Sequence, residues 1–95
     1  MSNFQRATAH ALMIDGTEYG PATVVHADKV RWESAARANG WTAEANGQTL
    51  NAFVAWAALS REKHLEMDFE EFTANLEVAE TRNLKKEEKK ENPTL

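Results

Sequence analysis

Residues Ala52 to Leu59 read Ala-Phe-Val-Ala-Trp-Ala-Ala-Leu, eight positions without a polar side chain, in a chain of 95 residues. At helical spacing Leu50, Phe53, Val54 and Ala57 form one stripe. Trp56 lies roughly 100° off that stripe and Leu59 nearly opposite it. A helix that is apolar all round is normally buried. The run is far short of the ~20 residues a membrane span needs. A domain of this size buries only about 60% of the surface of its unfolded chain. What covers this helix therefore decides the fold.

The flanking segments predict the other elements. Asp15-Gly16 stands between two strand-like runs, Ala11–Ile14 and Thr17–Tyr19, and is the preferred pair for a two-residue type I′ turn. That turn would pair Ile14 with Thr17 and Leu12 with Tyr19, placing these four on one face and Met13 with Glu18 on the other. Gly20-Pro21 ends or bends the second strand, because proline cannot donate to a ladder. A first helix starts at Asp28 as N-cap, or slightly earlier near Val24, and closes at Asn39-Gly40 with Trp41 folding back on Ala36. The apolar helix runs from about Gln48 to Lys63. A third begins at Asp68, where Asp-Phe-Glu-Glu is a capping-box variant, with Phe69, Phe72, Leu76 and Ala79 as its inward stripe.

The expectation is an α+β chain, mainly α: an N-terminal β-hairpin followed by a three-helix bundle and a charged, flexible C-terminal tail. Residues 1–83 form one domain, and residues 84–95, Leu-Lys-Lys-Glu-Glu-Lys-Lys-Glu-Asn-Pro-Thr-Leu, have no apolar period to bury.

Composition narrows function by exclusion. The chain has no cysteine, which rules out disulfides, thiolate metal sites and cysteine nucleophiles. The opening residues lack the apolar core of a secretory signal. The net charge is -4, and no helix carries the basic stripe expected of a nucleic-acid binder. Residues 68–84 concentrate the acidity, with Asp68, Glu70, Glu71, Glu77 and Glu80 against Arg82. His10, His26 and His64 never reach ligand spacing with one another; His64, Glu66 and Asp68 read as a loop. No hydroxyl sits in a nucleophile turn and no glycines form a phosphate loop. The expectation is a protein that is not an enzyme and takes no cofactor or metal.

The motifs then resemble a family. Asp15–Tyr19 gives Asp-Gly-Thr-Glu-Tyr, Asp28–Glu33 gives Asp-Lys-Val-Arg-Trp-Glu, and Ala36–Trp41 gives Ala-Arg-Ala-Asn-Gly-Trp. Phe53–Arg61 gives Phe-Val-Ala-Trp-Ala-Ala-Leu-Ser-Arg, and Phe69–Phe72 closes the series. In this order and spacing, over about residues 9–80, they resemble the short tail assembly chaperones of long-tailed bacteriophages. The connector departs from that pattern: other members tend to carry prolines where this chain has Thr42–Thr49. The resemblance implies a non-enzymatic protein of the host cell cytoplasm that binds the tape measure protein and keeps it soluble. It would promote tail tube assembly around its client and be absent from the finished particle. It also implies a longer frameshifted form that recruits tail tube subunits; Lys85-Lys86 and Lys89-Lys90 are residues that adenine-rich slippery codons would encode.

Two other classes remain beside it. A hairpin with three short helices can mimic a winged helix-turn-helix, giving a small DNA-binding or regulatory module, and a structural head–tail joining protein is the other. Under the chaperone reading, the central helix has more apolar circumference than its fold can shelter. The reverse side of that helix would then bind a client or another copy of the chain: Ala52, Ala55, Trp56 and Leu59, with Leu12, Tyr19 and Trp32 beside it. No nucleic acid and no membrane is expected as partner.

Overall fold

The computed structural model describes residues 6–83. Strand β1 (Ala7–Met13) and strand β2 (Glu18–Val24) form the N-terminal hairpin. Helix α1 (His26–Asn39), helix α2 (Gly47–Arg61) and a short helix α3 (Phe69–Ala74) follow. The last element is a strand, β3 (Leu76–Asn83), antiparallel to β1, so the sheet has the order β2-β1-β3.

This corrects the expected three-helix bundle. The third helix stops after six residues. Asp68 caps it as the sequence indicates, its Oδ1 accepting from the Glu71 N–H at 2.8 Å. Asn75 then ends it: its side-chain amide donates to the Glu71 carbonyl at 3.0 Å, and its own carbonyl accepts from the Ile14 N–H at 2.8 Å. Beyond it, Val78 and Thr81 are β-branched and suit a strand. The stripe Phe69, Phe72, Leu76, Ala79 is real as an inward set, but its first half is helical, and its second half shares one face of β3 because the register shifts between Leu76, opposite Met13, and Val78, opposite Leu12. The expected tail, residues 84–95, lies outside the described residues.

The hairpin register also differs from the expectation. Leu12 pairs with Glu18 and Ala11 with Tyr19. The loop is three residues, Ile14-Asp15-Gly16, closed by Met13 N–H to Thr17 O at 2.8 Å and Gly16 N–H to Met13 O at 2.9 Å. Gly16 takes a positive φ of 93°, which such a loop requires at its last position. A slip of one residue moves every side chain to the opposite face. The slip therefore moves β2 against β1: Tyr19 joins Ala11 and Met13 on the core face instead of joining Leu12, Leu12 faces Glu18, and Ile14 is exposed.

One face of the hairpin covers the apolar helix. Ala9, Ala11 and Met13 of β1 and Ala22 of β2 meet Ala52, Ala55, Ala58 and Leu59 of α2 in one cluster, closed by Leu65 and Phe72. Alanines on both sides bring helix and sheet close together. The opposite side of α2 packs Phe53, Val54 and Ala57 against Trp32 and Ala36 of α1. Helix α2 is thus the middle layer, between the sheet and α1. Leu59 and Phe72 are fully enclosed, and burial of each contributes roughly 1.5–3 kcal/mol.

Helix α1 begins two residues before Asp28. Val25 is its N-cap residue, and Asp28 Oδ2 accepts from the Val25 N–H at 2.9 Å. Asp28 is thus the third helical residue, reaching back to the cap position, and it is the one buried charged residue among those described.

Candidate functional site

The seven residues expected to form one partner surface do not share one. Ala52, Ala55 and Leu59 are 7%, 0% and 0% exposed, inside the sheet-side core. The expectation that this side of α2 is left uncovered is therefore corrected: the hairpin and β3 cover it. Tyr19 is half-buried on the helix side, packed against the same cluster. Leu12 lies on the opposite face of the sheet, paired with Val78.

Trp56 is half-buried. Its indole N–H donates to the Met67 carbonyl at 2.9 Å, and the Arg31 guanidinium lies 5.0 Å from its ring centre. Its ring belongs to an aromatic cluster with Phe53 at 5.4 Å and Phe69 at 5.7 Å. Trp32 and Trp41 continue that cluster, stacked at 5.6 Å between centroids. All three tryptophans thus bind α1, the connector, α2 and α3 together.

Trp32 also forms a wall of an apolar hollow about 450 Å³ in volume. Helix α1 contributes Lys29, Trp32 and Glu33, and the first two turns of α2 contribute Gly47, Leu50, Asn51 and Val54. The adjoining end of the sheet contributes Ala7, Val24 and Thr81. The walls are apolar and the rim carries both signs of charge. The sequence indicated Leu50 and Val54 only as core stripe, and did not single out Thr81. A second hollow, about 370 Å³, lies on the uncovered face of the sheet around His10, Leu12, Val78, Glu80 and Arg82. Its lining mixes polar and apolar groups.

The charged groups that do converge are structural. Asp28 Oδ1 accepts from Arg61 Nε at 3.1 Å and Oδ2 from Arg61 Nη2 at 3.2 Å. Arg61 Nη2 also donates to the Thr23 carbonyl, and Glu62 Oε2 accepts from the Thr23 N–H at 3.0 Å. The Asp28 carboxylate raises the guanidinium pKa above its ordinary value. This clamp fastens the end of α2 to the start of α1 and to the outer side of β2. Among the described residues no three metal-ligating side chains come together, His64, Glu66 and Asp68 included. No described helix is long and apolar enough to cross a membrane.

Comparison with family models, with curated proteins and with solved structures finds no match for this chain. The functional reading rests on its own residues.

Proposed function

We propose that this chain is a tail assembly chaperone of long-tailed bacteriophages, acting in the host cell cytoplasm on the tape measure protein. Two lines support the reading. The ordered motifs from Asp15 to Phe72 carry the family resemblance. The groove of Trp32, Leu50 and Val54 is the single structural observation on which the reading depends. An open apolar trough with charges of both signs at its rim suits one face of an amphipathic helix. Lys29 and Glu33 then meet the polar flanks of that helix. Such contacts are individually weak, and a long client with many apolar turns gains from engaging several chaperones at once. The short third helix, six residues of Phe-Glu-Glu-Phe-Thr-Ala, argues against the winged-helix alternative.

The test uses synthetic helical peptides from a tape measure protein. Trp32 lines the groove, so peptide binding should change tryptophan fluorescence. Leu50→Glu places a carboxylate in the half-buried wall and should abolish that change, while co-expressed tape measure protein should become insoluble. A folded Leu50→Glu variant that binds and protects the client as well as the wild type would overturn the assignment of the groove.

A further inference from the structure

The two edges of the sheet are treated differently. In an antiparallel ladder, successive residues turn their backbone groups alternately to one neighbour and the other. Met13 donates across the hairpin to Thr17, whereas Ile14 donates to Asn75 on the β3 side. The odd residues of β1 therefore face β2 and the even ones face β3. Through the pairs Leu12–Val78, His10–Glu80 and Thr8–Arg82, the even residues of β3 turn inward to β1. Ala79 and Thr81 turn their backbone groups outward.

The outer edge of β2 is closed. Pro21 has no N–H to offer, and both outward groups of Thr23 are taken, the N–H by Glu62 and the carbonyl by Arg61. On β3, Asn51 Nδ2 donates to the Ala79 carbonyl at 2.7 Å. Among the described residues no strand pairs with the outer side of β3. An unpaired edge without a blocking proline or bulge at its centre is a template for another strand.

We infer that β3 pairs with β3 of a second copy of this chain, antiparallel, about a twofold axis at Thr81. Charge selects both the occupant and the register. A pairing centred on Glu80 sets two Glu80 carboxylates opposite each other, and one centred on Ala79 opposes Glu80 to Val78. Centred on Thr81, Glu80 of each copy faces Arg82 of the other, twice. These are then non-hydrogen-bonded pairs, whose side chains lie closest. Arg82 Nε already lies 2.6 Å from Glu80 Oε1 within one chain. The axis would thus gather two carboxylates and two guanidiniums into one alternating ring. The edge is self-complementary, as an isologous interface must be. The product is one continuous six-stranded sheet.

Thr81 also borders the apolar groove. The two grooves of the dimer therefore open on the same side of the sheet and flank its axis, giving a long client two adjoining sites. That consequence rests on the proposed function; the pairing itself does not.

The experiment is sedimentation equilibrium of the full chain alone, at low salt and neutral pH, so that its failure is separable from failure of client binding. The wild type should show a reversible monomer–dimer equilibrium. Thr81→Pro removes an outward N–H and leaves the β1 ladder intact, and should weaken the dimer at least about tenfold. Arg82→Glu, an exposed charge change that leaves the core untouched, should do the same by setting carboxylates against each other. Glu80→Arg with Arg82→Glu in one chain restores opposite charges and should restore the dimer. Circular dichroism checks that each variant is folded. A wild type that stays monomeric overturns the inference, including one that stays monomeric yet binds an added strand peptide. A dimer that Arg82→Glu leaves unchanged also overturns it.

Discussion

Removing Arg61 should damage this protein more than removing its ion-pair partner. Asp28 is fully buried, while the Arg61 side chain keeps 35% of its surface exposed. The carboxylate accepts from Arg61 Nε, Arg61 Nη2 and the Val25 N–H. In Arg61→Ala the carboxylate stays buried with a single donor left, a situation that costs about 3–5 kcal/mol. In Asp28→Ala the guanidinium turns to water, and it retains the Thr23 carbonyl and Glu62. The loss there is a cap at about 1 kcal/mol and part of two charge-assisted hydrogen bonds, in all about 2–3 kcal/mol. The double variant, with neither charge, should be no worse than Arg61→Ala alone. Urea unfolding followed by circular dichroism gives the three values and their coupling. Domains of this kind hold about 5–15 kcal/mol in total, so Arg61→Lys serves where Arg61→Ala is too unstable to measure. Asp28→Ala proving as destabilising as Arg61→Ala would refute the reasoning, because burial of an unpaired charge would then not set the order.

Two further outcomes follow from the hairpin. A methyl group at Gly20 would lie 2.6 Å from the Ala9 carbonyl oxygen, at a φ of +112° that L-residues rarely adopt; Gly20→Ala should cost about 2–4 kcal/mol, and a urea midpoint unchanged from wild type would contradict the close approach. The Thr17 backbone N–H, and then its side chain, hold the Asp15 pKa below its ordinary value. A depressed carboxylate contributes stability that is complete above its unfolded-state pKa and is lost as pH falls through the folded-state value. The gap in urea midpoint between wild type and Asp15→Ala should be present at neutral pH and close in strong acid; a gap constant with pH would exclude this role for Asp15.

The helices were legible where side chains act locally. Asn39-Gly40 closes α1 with Gly40 in the left-handed region and Trp41 N–H on the Ala36 carbonyl. Asp68 caps α3 in the same local way. What failed were decisions settled by distant partners. Leu76 to Arg82 carries an apolar spacing that fits a helix and a strand alike. Only β1, more than sixty positions earlier, makes it a strand. The Asp15-Gly16 pair fits loops of two and of three residues. The choice falls to the faces that result: the three-residue loop sets Tyr19 opposite Ala11, on the face that packs on α2. The groove was illegible for the same reason, since Ala7, Trp32, Leu50 and Thr81 come from four separated segments.

Those same decisions relocate the surface available to a partner. A helix apolar on all sides invites the idea that its spare side awaits another protein. In this fold a sheet of small residues takes one side and α1 the other. The clamp that orders α1 against α2 also closes the β2 edge, because one arginine bonds both Asp28 and the Thr23 carbonyl. Core packing and edge protection on that side are therefore coupled through a single side chain. At β3 no comparable clamp exists among the described residues, beyond Asn51 on one carbonyl. Its exposed side chains alternate in sign at Glu80 and Arg82, and its axis residue borders the groove. Edge and groove are neighbours on the same end of the molecule, so what pairs with one sets the spacing of what binds in the other.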